Sequence, residues 1–318
     1  MRYAATLIAG ALMTAGALAQ DYPQRPIRLL VGFTPGGSTD VIARVIAHKL
    51  SETMGVQVLI DNRPGAGGNI GVELTAKSPP DGYTLVMGHI GTMAVNPTLY
   101  NKIPYAPSDF VGVCELASSP NTFTVKAELP AKTIKELITQ AKGSNGKFNI
   151  GSINIGTTQH LSAELLKSMA GLDAAAVPFN NTAGVLTALR GNSIQVAMEF
   201  LPPVLGQIRA NTLRAVAVTS IQRSPMLPNV PTLNESGLNG FEVNSWNGIA
   251  VPAKTPKAIV DKLNKALADA LAKDSVRKQI VDIGAQPRSS TSEELTRHVA
   301  AEIAKWQGVR EKAGIPQQ

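Results

Sequence analysis

The sequence predicts an α/β protein of two lobes, the second inserted into the first, with a ligand cleft between them. Three observations lead there. Strand-like apolar runs alternate with amphipathic helical stretches from residue 27 to residue 90, a pattern that builds parallel sheets covered by helices. The alternation restarts near residue 121. A Pro-, Asn- and Gly-rich stretch, RSPMLPNVPTLNESGLNG (223–240), then leaves the second unit, and the chain ends in helices. Residues 20–120 with 240–318 form the expected first lobe and 121–239 the second; 318 residues suffice for two cores.

In chain order, IRLLVGF (27–33) reads as a buried strand and TDVIARVIAHKLSETMG (39–55) as a helix stopped by Gly55. VQVLID is a second strand, GNIGVELTAKS a helix and YTLVMGHI a third strand. In the second unit TFTVKA (122–127) is a strand. Thr133 and Glu136 stand at capping-box spacing before the helix TIKELITQAK. KFNIGS, AAAVPF, SIQVAMEF and LRAVAVT are strands, alternating with the helices TTQHLSAELLKSMAG, TAGVLTALRG and PVLGQIRAN. After FEVNSWNGIAVPA come two or three helices. Thr255-Pro256 opens one whose Ile259, Leu263, Leu267 and Leu271 form an apolar stripe, and Thr291 with Glu294 caps another.

The first residues point to export. Arg2, the apolar run YAATLIAGALMTAGALAQ and the pattern Ala17-Leu18-Ala19 read as a signal peptide over 1–19, which places the mature protein in the periplasm. No cysteine follows the cleavage site, which argues against a lipoprotein, and no later segment is apolar enough to span a bilayer. Cys114 is the single cysteine, so no intramolecular disulfide forms. The net charge is +7, or +6 once Arg2 is removed, and its basic residues are scattered. With 4% aromatic residues and no stacking ladder, the chain suits small anions and not nucleic acid.

GFTPGGSTD (32–40) joins a strand to a helix. Gly36 and Gly37 leave the helix N-terminus open, and Ser38 and Thr39 add hydroxyl donors, so the loop suits a carboxylate or phosphate. Asp40 reads as a first-turn residue that holds the loop. A nucleotide P-loop is disfavoured because Ser38 stands where Lys is required. DNRPGAGGNIG (61–71) has Ile70 where a dinucleotide fingerprint needs Gly, and reads as a tight turn with close packing. GSINIGTTQHLSAE (151–164) repeats the first design in the second lobe. Ser38, Asp40 and His160 do not make a triad, because no G-x-S-x-G elbow exists. His48, His89, His160 and His298 are isolated, without metal-site spacing. Neither catalysis, a metal nor a cofactor is expected.

The motifs YPQRPIRLLVGFTPGGSTDVIARVIAHKL, NRPGAGGNIG, PDGYTLVMG, GTTQHLSAELLK, VPFNNTAGVLTALRG and FEVNSWNGIAVPAKTP, in this order, resemble the Bug-type (TctC-like) solute receptors of tripartite tricarboxylate transporters. The resemblance covers nearly the whole mature chain. It implies a two-lobed periplasmic binding protein of type II-like fold, monomeric, that captures a small organic carboxylate and passes it to membrane transporter subunits. It also implies ligand contacts from Phe33, Thr34, Pro35, Gly36, Gly37, Ser38 and Thr39, and from Ser152, Asn154, Gly156, Thr157 and Thr158. Where the family usually has VPYKG this chain has Val177-Pro178-Phe179-Asn180-Asn181, and where it often has Asp this chain has Glu199. Phe179, Asn180 and Glu199 are therefore expected toward the far end of the ligand, with Glu199 either reading a donor group or serving as a paired structural carboxylate. The alternatives are a sensor component that presents its ligand state to a signalling partner and an exported hydrolase.

Overall fold

The computed structural model describes residues 22–153, 155, 157–312, 315 and 317; the expected signal peptide, Asn154 and Gly156 lie outside them. Strand β1 (Ile27–Val31) leads into helix α1 (Ser38–Met54), β2 (Val58–Asn62), α2 (Asn69–Ala76) and β3 (Thr84–His89). β1 lies between β2 and β3, parallel to both. Gly55 ends α1 with φ 70°, the left-handed conformation that glycine adopts without steric cost. Helical turns over Gly91–Val95 and α3 (Asn96–Leu99), which no apolar periodicity announces, follow β3.

β4 (Phe110–Lys126) is longer than the expected strand and serves both halves of the sheet. Phe110 to Pro120 pair antiparallel with β9 (Asn244–Pro252), which itself lies against β3. Asn121 to Lys126 pair with β7 (Val196–Phe200) and β8 (Leu213–Val218). The change of partners falls beside Pro120, which has no N–H to give to a ladder. The second half continues from β7 to β5 (Phe148–Ile153) and β6 (Ala174–Phe179), parallel to one another. Its helices are α4 (Ile134–Lys142), α5 (Thr158–Ala170), α6 (Thr182–Arg190) and α7 (Leu201–Arg209). The chain returns to the first half at β9. It then forms α8 (Lys257–Leu271), α9 (Asp274–Asp282), the two-residue β10 (Gln286–Pro287) on β4, and α10 (Ser292–Lys312).

Apolar periodicity explains the packing. Ile259, Leu263, Leu267 and Leu271 of α8 join Ile42 and Ile46 of α1 and Leu29 of β1 in one core. Phe148, Ile150, Leu161 and Leu166 belong to another, and Val185, Leu189 and Val204 to a third. Both capping pairs form: Thr133 Oγ1 accepts from the Glu136 N–H, and Thr291 and Glu294 cap one another reciprocally.

The glycines of the loop between β2 and α2 allow it to press against the β1–α1 loop. A Cβ on Gly32 would lie 2.6 Å from the Gly68 carbonyl oxygen, and Gly68 itself sits at φ +95°. The contact is backbone against backbone, so no side chain can swing aside. Gly32→Ala is expected to lower stability by about 1–3 kcal/mol, the usual cost of overpacking. Denaturant unfolding reads this as a reduced midpoint at unchanged slope.

Candidate functional site: a cleft between the sheet halves

A cleft of about 430 Å³ opens where the strands of the two halves end. The first half lines it with Gly36, Gly37, Ser38 and Thr39, with His89 at the end of β3, Ser119 of β4, and Ser245 and Asn247 of β9. The second half contributes Phe200, Pro202 and Pro203, and Ile283 and Ala285 close one side. The two halves touch there: a Cβ on Gly284 would lie 2.4 Å from Pro202 Cγ. A smaller cavity of about 240 Å³, between the sheet and α10, is lined mainly by apolar groups such as Met93, Phe110, Trp246 and Val299.

The β1–α1 loop is held from beneath. Asp40 is 1% exposed, and its carboxylate accepts from the Gly36 N–H at 2.9 Å, from Arg44 at 2.8 and 3.1 Å and from Asn62 at 2.8 Å. Burial pushes the Asp40 carboxyl up, but the hydrogen bonds from Arg44, Gly36 and Asn62 outweigh it and hold the group below its ordinary value. The Gly36 N–H is thus spent inside the protein. No side chain caps α1 at Gly37, so the first-turn N–H groups beyond it remain for a ligand.

The side chains around this turn are arranged as donors. The Gly91 N–H donates to His89 Nδ1 at 2.9 Å, which leaves the ring proton on Nε2. That Nε2 faces Ser245 Oγ at 3.3 Å, so the serine oxygen accepts and its own proton is free to turn elsewhere. Thr39 Oγ1 likewise accepts from Asn247 Nδ2 at 3.2 Å. Burial lowers the His89 pKa to about 4, so the ring is neutral at neutral pH. Among the described lining residues none is Lys, Arg, Asp or Glu. Among the described residues there is also no group of three or more His, Cys, Asp and Glu that could hold a metal ion.

Comparison with known proteins fits this geometry. Residues 42–315 match the family model described as TctC, tripartite tricarboxylate transporter family receptor. The chain belongs to the TctC receptor family. It is similar to R. palustris Rpa4515, solved with adipate: 39% identity, TM-score 0.81, covering 93% of this chain and 99% of that one. It is also similar to MatC from Rhodopseudomonas palustris, solved with bound malate: 32% identity, TM-score 0.75, covering 91% and 99%. The periplasmic binding protein BugD shares 33% identity with a TM-score of 0.77, covering 93% and 100%. The fold is therefore that of the two-lobed periplasmic solute-binding proteins, as the sequence predicts.

In this TctC receptor the expected ligand residues are distributed unevenly. Gly36, Gly37, Ser38 and Thr39 line the cleft. Thr34 and Pro35 are exposed outside it, and Phe33 packs edge-on against the His89 ring with its carbonyl accepting from Asn62. In the second half, Thr157 caps α5: its Oγ1 accepts from the His160 N–H and donates to the Ile153 carbonyl. Thr158 is buried and donates to Gln159. Ser152 is buried with no partner for its hydroxyl, and His160 is buried with Nδ1 unpartnered. Phe179 packs against the core of the second half, Asn180 is exposed, and Asn181 caps α6 by accepting from Gly184. Asn154 and Gly156 fall outside the described residues. His89, Ser119, Ser245 and Asn247 carried no sequence signal, because they come from three strands far apart in the chain.

Glu199 is buried beside the start of α6. Its Oε2 accepts from Thr182 at 3.1 Å, while Oε1 has no partner. Burial raises its pKa to about 7, against the bonds from Thr182 and the Phe200 N–H that lower it. A carboxyl raised in the folded state stabilises fully below its unfolded value, and loses that contribution as pH rises through the folded value. Glu199→Gln is therefore expected to be more stable than wild type at pH 8, by roughly 2–3 kcal/mol. The difference should vanish near pH 4.5; urea melts at both pH values measure it.

Proposed function

We propose that this TctC receptor is exported to the periplasm by its N-terminal signal and acts there as a monomer. Its lobes, 20–120 with 240–318 and 121–239, close over a small organic carboxylate, which the receptor then delivers to the membrane subunits of its transporter. The observation that carries this reading is the convergence of donors on one point of the cleft. The open first turn of α1 and the hydroxyls of Thr39 and Ser245 line the same cleft, the two hydroxyl oxygens already accepting from Asn247 and from the Nε2–H of His89. Such a set suits an anion, whose oxygens only accept and form charge-assisted bonds, and gives a donor-rich solute little. The relatives solved with adipate and malate hold carboxylates, which supports the same class of solute here. Closure would remove water from the carboxylate and strengthen each bond to these fixed donors.

Thermal melts with a panel of mono- and dicarboxylates test the reading. A true ligand at a hundred times its Kd adds about 2.7 kcal/mol, a rise of several degrees in Tm. No shift with any acid, in protein freed of carried-over ligand, contradicts it. Gly37→Asp probes the donor loop itself. Gly37 has φ −72° and its added Cβ would meet only Thr34 O, at 3.7 Å, so the side chain fits the backbone. The variant is expected to fold with wild-type circular dichroism and to lose carboxylate binding at least a hundredfold by charge repulsion, about 2.7 kcal/mol or more. Retained affinity removes this loop from the site.

A further inference from the structure

Resting on the carboxylate-receptor reading, we infer that the solute is an amphiphilic monocarboxylate: one anionic end against the α1 turn, and an aliphatic or aromatic body against Phe200, Pro202 and Pro203. The two sides of the cleft differ in kind. The first half presents N–H and O–H donors. The second half presents the opening of α7, where Leu201, Pro202 and Pro203 form the first turn. A helix start normally offers free N–H groups, but two of these residues have none. The helix end that faces the cleft is therefore an apolar wall, and Ile283 and Ala285 continue it.

A second carboxylate at that end finds no counter-charge, since no Lys or Arg is among the described lining residues. One residue before Phe200 in the chain is the buried acid Glu199. Its hydrogen-bond partners, Thr182 and the Phe200 N–H, are both neutral. Neither Glu199 nor its partners supplies a positive charge that a second carboxylate could pair with. The remaining helix starts of the second half do not supply the missing donors here: no described residue at the start of α5 or α6 lines the cleft, and Thr157 and Asn181 each take up one first-turn N–H. A cleft of about 430 Å³ with one polar corner and one apolar wall has the usual form of a site that orients a ligand by its head and holds it by its body.

Isothermal titration of the purified protein with butanoate, hexanoate, octanoate, adipate and malate tests the inference. Affinity is expected to rise about fourfold per methylene from butanoate to hexanoate, the increment for burying one CH₂. Hexanoate is expected to bind at least roughly tenfold more tightly than adipate, which places a charge where hexanoate has a methyl group. Pro203→Ala returns an N–H to the start of α7 and is expected to narrow the hexanoate-to-adipate ratio. Tighter binding of adipate or malate than of hexanoate, or no gain along the chain-length series, overturns this inference and leaves the carboxylate receptor standing. Failure of all five acids overturns both. The wild-type series decides the matter even if the variant does not fold.

Discussion

The buried carboxylate of Asp40 is the contact on which the cleft depends. It lies at the start of α1 and gathers the Gly36 N–H, the Arg44 guanidinium and the Asn62 amide onto its two oxygens. Those bonds fix the Gly-Gly turn against the helix, and they place a negative charge inside the first turn, where the helix dipole favours it. The donor-presenting surface of the α1 turn is thus built over an anion of its own. The arrangement is tolerable because Asp40 is fully compensated from below, so the N–H groups that continue past Gly37 still face the cleft as donors. Asn62 completes the link by also donating to the Phe33 carbonyl, which ties the loop to β2.

Donor convergence depends on where acceptors are used up. A hydroxyl or an imidazole is ambiguous in isolation, since each can donate or accept. In this cleft the ambiguity is removed by neighbours: Gly91 occupies Nδ1 of His89, His89 faces the oxygen of Ser245, and Asn247 occupies the oxygen of Thr39. Of the helices that follow β1, β5, β6 and β7, α1 alone starts with neither a side-chain cap nor a proline in its first turn. The same local chemistry of strand, loop and helix thus gives one uncapped turn and three that carry a side-chain cap or a proline. Capping, more than glycine content, separates them.

The second half of the sheet shows how membership of a family and detail of a site part company. Membership of the TctC family rests on a match to residues 42–315 and settles the architecture. The polarity of the cleft walls does not follow from it, because the wall is made by a few residues at the end of β7 and the start of α7. Glu199 illustrates the point. As a letter in the sequence it fits a ligand contact or a paired structural carboxylate equally well. In the fold it is a buried group held by two neutral bonds, with one oxygen unpartnered.

Local features were readable from the chain alone: the order of strands and helices, the stop at Gly55, the capping boxes at Thr133 and Thr291, the stripe on α8, and the glycine turn at Gly36-Gly37. Each depends on residues within a few positions of one another, so sequence spacing determines it. The β4 strand, which changes partners at Pro120, was legible only in its second part, because pairing with β9 joins residues more than a hundred positions apart. The same cause hid His89, Ser119, Ser245 and Asn247. They meet the α1 turn only when β3, β9 and β4 lie side by side, as with the Thr39–Asn247 bond across 208 residues. The backbone periodicity of a strand or helix is a local property that side chains impose directly. Which side chains share a cleft, and which of their polar atoms are left without a partner, is decided by strand pairing over the whole chain.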